Sequence, residues 1–267
     1  MCVSLLLILV MVVASTAQAT IPVTTCGQTI PAGETGEVAN DLQCPTMHAV
    51  VIEGIATLRL NGFSIVGGRD RKSMYDGITC LPRPGDGPCG GPCIVIGPGT
   101  ISGFAWGISS PGYVFKGSSG GCRPLYMQVR DVAVRENRLG IWGVYVELTN
   151  VVVDDNDTWG INGDSGLRGT SVRVTNNRGG GVSGSKVDLV GLLATGNGPG
   201  GGLSFRYPSR LTDSFLIGND GLGQGYDVVA FRRTRLRLRN TTCGRVARVR
   251  SFQDDTPRIL RSFACAR

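Results

Sequence analysis

The chain has 267 residues, 41 of them glycine, with eight phenylalanines, six tyrosines, three tryptophans and a formal net charge of +7. Glycine at that density without a three-residue period excludes collagen, and short Val/Ile/Leu runs with few aromatics argue against a helical protein. No low-complexity linker divides the chain, so one elongated domain is expected.

The first 19 residues stand apart from the rest. An apolar run from Val3 to Ala14 leads into Ala17-Gln18-Ala19, which reads as a signal peptide cleaved after Ala19. The positive residues that usually precede such a run are absent, which leaves a retained anchor or a displaced start codon open. No later segment reaches transmembrane length. The expected product is a secreted monomer, extracellular or periplasmic, without a membrane span after signal removal.

Removal of the signal takes Cys2 and leaves Cys26, Cys44, Cys80, Cys89, Cys93, Cys122, Cys243 and Cys265. An even count behind an export signal predicts disulfides. Cys26 with Cys44 and Cys243 with Cys265 form isolated pairs near the two ends of the chain, and the middle four predict two loop staples of undetermined connectivity. The segment 20–47 is expected as an N-terminal cap and 243–267 as a C-terminal cap. Between them, 48–242 carries Cys-rich insertions at 81–93 and 110–125. His48 is the one histidine in the chain, and with irregular cysteine spacing it does not complete a zinc set.

A repeat of about 20 residues organises the middle of the chain. Asn137, Asn156, Asn177, Asn197 and Asn219 are separated by 19, 21, 20 and 22 residues. Each is followed by a glycine and an apolar or aromatic residue, at Gly140-Ile141, Gly160-Ile161, Gly181-Val182, Gly202-Leu203 and Gly225-Tyr226; Gly77-Ile78 and Gly107-Ile108 repeat the step earlier. Three residues before each asparagine stand Val134, Val153, Val174, Ala194 and Leu216, and five before stand Val132, Val151, Val172, Leu192 and Ser214. That alternation has the period of a strand with one buried face. Asp131, Asn150, Ser171, Gly191 and Asp213 form a turn-like column between two such runs.

A coil of this length cannot bury its apolar face alone, but stacked coils share parallel hydrogen bonds and set equivalent residues above one another. The pattern predicts an all-β, single-domain right-handed parallel β-helix, a solenoid of about seven to eight coils. The asparagines become a structural ladder that satisfies bend backbone, and the column glycines supply positive φ or close packing. Through CGQTI, DLQCP, LRLNGFSIVGG, GTISGFAWGI and NVVVDDNDTWGI the chain resembles the secreted β-helix proteins of the pectate-lyase-like superfamily over most of residues 26–243. The resemblance implies carbohydrate chemistry, often on uronate polymers, by elimination, hydrolysis or C5 epimerisation.

Each reaction asks for particular residues. Elimination needs a base at C5, Arg or Lys as the resemblance implies, and a cation or donor cluster beside the carboxylate; hydrolysis needs two spaced carboxyls. The sequence does not carry the NTD, DD and HG motifs in the order of polygalacturonases, nor the Arg signature of pectate lyases, nor the epimerase DPH motif. Asp154, Asp155, Asp157 and Glu136 form the richest acidic cluster, a candidate for Ca²⁺ or for a carboxylate pair. Against that reading, Arg138, Asp157 and Arg178 follow successive ladder asparagines as an alternating charge stack.

Beyond residue 205 the chain holds thirteen arginines and five aspartates. In Arg235-Leu236-Arg237-Leu238-Arg239 strand alternation sends the leucines inward and the arginines outward, beside Arg232 and Arg233. This ridge suits an acidic polysaccharide, or serves as an edge-protecting soluble face. The export signal disfavours nucleic acid. Trp106 and Trp159, each just before a Gly-Ile step, are candidates for stacking on sugar rings, or fill a bend. Binding of an acidic polysaccharide, with lyase-like cleavage as its extension, and a noncatalytic surface or matrix role are the two readings.

Overall fold

The computed structural model describes residues 20–69, 74–82, 91–111, 126–231, 234–249 and 259–265. The signal segment, Cys89, Cys122, Arg232, Arg233 and most of the two predicted insertions lie outside the described residues.

The chain is an all-β parallel β-helix with three faces. The first stacks Gln28–Ile30, Val50–Glu53, Asp76–Leu81, Trp106–Ser110, 139–143, 159–163, Gly180–Gly184, Leu203–Phe205, Val228–Phe231 and Arg245–Val249. The second begins at Thr20–Val23 and runs through 126–130, 145–149, 166–170, Val187–Val190 and Ser209–Thr212 to Leu236–Arg239. The third stacks Leu42–Cys44, Ser64–Gly67, 99–102, 132–135, 151–154, 172–175, Leu193–Thr195, Phe215–Ile217 and Thr242–Cys243. These nine third-face segments make nine coils among the described residues. The count exceeds the repeat-based one because the segment before residue 48 already supplies strands to all three faces.

Inside the coils the predicted columns form the core. Val134, Val153, Val174, Ala194 and Leu216 are fully buried, as are Ile108, Ile141, Ile161, Val182, Leu203 and Val228 on the first face. Stacking puts like side chains in contact, and each buried aliphatic contributes about 1.5–3 kcal/mol. Ser214 interrupts one apolar column and is buried, but its hydroxyl accepts from Leu192 N–H (3.1 Å) and donates to the Thr212 carbonyl (2.8 Å). A polar group in the core is thereby paired.

Three bends join the faces, and the two that flank the third face carry left-handed residues on successive coils. Between the second and third faces Asn61, Asp131, Asn150, Ser171, Gly191, Asp213 and Asn240 have φ between +46° and +69°. Asn, Asp and Gly reach this region at least cost. Between the third and first faces Gly103, Glu136, Asp155, Asn176, Gly196 and Gly218 have φ between +55° and +79°, all but Gly103 immediately before a ladder asparagine.

The ladder itself is continuous. Asn137 N–H donates to Asn156 Oδ1 (3.0 Å), Asn156 to Asn177 (3.1 Å), Asn177 to Asn197 (3.1 Å) and Asn197 to Asn219 (3.2 Å). Side-chain amides run in parallel, each also donating to core carbonyls such as Val153 from Asn177. The last rung is not an asparagine. Asp227 Oδ1 accepts from both the backbone and the amide of Asn219 (3.0 Å each), while Oδ2 accepts from Gly244 N–H (2.8 Å) and Arg245 N–H (3.2 Å).

The glycine column resolves toward close packing rather than positive φ. A Cβ on Gly107 would lie 2.4 Å from Val134 Cγ1, and one on Gly140 would lie 2.4 Å from the Gly160 carbonyl oxygen. Gly225-Tyr226 does not belong to this column. Leu203 registers with Val228, so Asp227 follows Gly202 there, and Gly225 sits at φ +71° in a turn closed by the Gly221–Tyr226 bridge. The extra turn residues displaced the motif by two positions.

Cys26 bonds Cys44, Cys80 bonds Cys93 and Cys243 bonds Cys265. The last disulfide ties down Ile259–Ala264, which pairs antiparallel with Arg245–Val249 and covers the final first-face edge. Covering that edge removes a template for end-to-end pairing.

Candidate functional site

The C-terminal half of the second face carries the densest exposed chemistry. Leu236 and Leu238 are half-buried against the core and Arg235, Arg237 and Arg239 are exposed, as alternation requires. Register then extends this single strand across the coils. Gln128, Glu147, Arg168, Asp188, Arg210 and Arg237 lie in one column, each paired with the next.

Two adjoining depressions on this face share Lys186 and Asp188. One is walled by Tyr126, Tyr145 and Arg168, the other by Arg210, Arg235 and Arg237. Together they form a groove along the stack. Its first half is internally tied: Arg168 sits 5.3 Å over the Tyr126 ring, donates to the Tyr126 hydroxyl and pairs with Glu147 at 2.9 Å. Tyr145, 40% exposed, leaves an aromatic surface beside that pair. In the second half no ion pair joins Asp188 to Arg168 or Arg210 among the described residues, and Lys186, Arg210, Arg235 and Arg237 point to solvent. Five cations thus face two carboxylates. Arg239 stands a step further along its strand, beside Thr212, and does not line the groove. The sequence reading missed Tyr126, Tyr145, Arg168, Lys186 and Arg210, whose signal was two fixed offsets from the ladder asparagines, eleven residues for Tyr126, Tyr145 and Lys186 and nine for Arg168 and Arg210.

Three of the acidic residues, Glu136, Asp155 and Asp157, line one depression together with Arg69 and Arg138, and Asp154 does not line it. Glu136 and Asp155 occupy equivalent left-handed bends on neighbouring coils, Asp157 pairs with Arg178 at 3.4 Å, and Asp154 lies 3.8 Å from Arg135. Burial pushes the Asp154 carboxyl up, with Arg135 opposing. Glu136 is further occupied by an ion pair with Arg69. Among the described residues no group of three metal-ligating side chains converges.

The tryptophans do not share one platform. Trp106 packs beside Trp142, ring centroids 6.3 Å apart, while Trp159 lies across the backbone of Gly180 and Gly200. Near them His48, which completes no zinc set, meets two first-face residues, Asp76 and Thr79. His48 Nδ1 accepts from Asp76 N–H (3.0 Å) and contacts Thr79 Oγ1 (3.3 Å), and the Asp76 carboxylate accepts from Thr79 (3.0 Å) and from Ser109. Burial raises the Asp76 pKa, opposed by the Ser109 and Thr79 hydrogen bonds and by His48. Ser109 and Thr79 are both buried, so the cluster joins successive coils and offers no accessible nucleophile.

No family model matches the chain, and no curated protein matches it in sequence. Among solved structures it is similar to the A-module of the mannuronan C-5 epimerase AlgE4 of Azotobacter vinelandii, at 12% identity and a TM-score of 0.44, over 86% of this chain and 80% of that one. It is also similar to pectate lyase Pel9A, at 12% identity and a TM-score of 0.37, over 78% of this chain and 62% of the lyase. The Dettilon tailspike protein gp208 follows, at 13% identity and a TM-score of 0.44, over 87% of this chain and 55% of the tailspike. Function therefore has to be argued from the groove itself.

Proposed function

We propose that the protein captures an acidic polysaccharide along the second-face groove, outside the cell. The observation that carries this reading is the set of four cations, Lys186, Arg210, Arg235 and Arg237, without ion-pair partners among the described residues and continuous with an aromatic end. Guanidinium forks suit planar carboxylates, and exposed tyrosine suits the apolar face of a sugar ring. The disulfides accord with an oxidising compartment. Lyase-like cleavage would add a base at C5 beside a neutralised carboxylate, roles for which Lys186 and Arg210 have the right chemistry.

Retention on immobilised polygalacturonate and alginate tests capture. Binding is expected at low salt and should weaken steeply as screening grows. Arg235→Glu with Arg237→Glu should abolish it, and retention that survives both changes overturns the site. Absorbance from unsaturated products in the same incubations reads cleavage.

A further inference from the structure

We propose that the outer surface of the first face is a second glycan site, which takes an uncharged β-1,4-linked oligosaccharide lying along the stack. It is separate from the cationic groove and does not depend on that reading.

The floor is a register column. Trp142 pairs with Asn162, Asn162 with Ser183, and Ser183 with Ser204, one residue per coil at steps of ~4.8 Å. No hydrogen bond within the protein engages the side chains of Asn162, Ser183 or Ser204 among the described residues. Asn162 and Ser183 therefore offer an unspent amide and hydroxyl to the groove from successive coils, with Ser204 more enclosed beneath it. An equatorially linked pyranose chain advances by close to one coil spacing per ring, so successive sugars meet successive floor residues.

The walls are aromatic. On one side the Trp159 ring rests on glycine backbone: a Cβ on Gly180 would lie 2.6 Å from it and one on Gly200 2.2 Å. Glycine at both positions lets the ring lie flat and keeps the groove open. On the other side stand Phe231 and Arg206, the guanidinium 5.9 Å from the ring centroid. Asp164 accepts from Trp142 Nε1–H (3.1 Å), which fixes the carboxylate while leaving lone pairs for a sugar hydroxyl.

Charge separates this groove from its neighbour. Its lining holds one carboxylate, Asp164, and one guanidinium, Arg206, against the cationic excess on the second face. A polyanion gains nothing from this balance, whereas a neutral ring gains hydroxyl partners and an aromatic face.

Calorimetric titration of the purified protein with cellohexaose tests the proposal, with hexagalacturonate as the charged counterpart. Cellohexaose is expected to bind equally at low and high salt. Ser183→Phe, which fills the floor from an outward position, should weaken binding by about tenfold or more, equivalent to about 1.4 kcal/mol. Arg235→Glu should leave cellohexaose binding unchanged while impairing hexagalacturonate. Trp159→Ala should lower cellohexaose affinity in the same sense, and Ser183→Phe decides the matter if that variant fails to fold. Absence of binding by cellohexaose, or binding indifferent to Ser183→Phe, overturns the site. Either result leaves the hexagalacturonate measurement, and so the cationic groove, independently readable.

Discussion

The two bends that flank the third face of each coil use the same residue types to different ends. At the bend between the third and first faces, asparagines are buried and every amide is spent on the next coil or on core carbonyls. At the bend between the second and third faces, Asp131, Asn150 and Asn240 sit in solvent and make occasional contacts, such as Asn150 to Asp131 (2.7 Å) and Asn240 to Asp213 (2.9 Å). The first bend needs asparagine for its donors and acceptors. The second needs only a residue that tolerates positive φ.

That contrast can be broken by substitution. Asn177→Ala should have the largest effect, about 4 kcal/mol, because it strands the backbone N–H and amide of Asn156 inside the core at about 1–3 kcal/mol each. Chemical denaturation measures it, and a loss below about 1 kcal/mol would show that the ladder is not held by these bonds. Asp227→Asn comes next, at about 2 kcal/mol. An amide can accept from Asn219 or from Gly244 and Arg245, but its nitrogen then faces donors on the other side. At the exposed bend, Asn150→Ala should cost about 1 kcal/mol through its left-handed backbone alone. Asn150→Gly should stay within about 0.5 kcal/mol of the parent, and a larger loss would make the exposed contacts energetically real.

The smallest effect is on pH dependence. Ladder amides do not titrate, so buried carboxylates must carry it, and Asp76 has a pKa raised by burial. A folded-state pKa above the unfolded value means the native state holds that proton more tightly. Stability from this group therefore declines as pH rises from the unfolded value of about 3.9 to the folded one, and is level above it. Asp76→Asn should flatten that decline in melting temperature, and parallel profiles would remove Asp76 as its source.

Most of the fold was legible because stacking repeats one chemical requirement at one spacing. The Asn137 to Asn219 series and the inward valines follow from that periodicity, and the Cys26–Cys44 and Cys243–Cys265 pairs from their isolation near the two ends of the chain. Gly225-Tyr226 misled because an added turn broke the spacing just where the ladder exchanges asparagine for Asp227. The charged ridge was legible on one strand at Arg235, Arg237 and Arg239, but the groove was not. Its other members, Tyr126, Tyr145, Arg168, Lys186 and Arg210, come from five different coils.

The sequence by itself determined the strand period, the coil length, the ladder and the inward face, since each is a local pattern imposed again on every turn of the solenoid. Tertiary structure decided which outward residues share a column, that His48 joins Asp76, that Glu136, Asp155 and Asp157 share a depression with Arg69 and Arg138, and that Trp159 lies over glycine. The physical reason is register. Hydrogen bonding between coils aligns positions about 20 residues apart, and turns of unequal length make that alignment invisible until the coils are stacked.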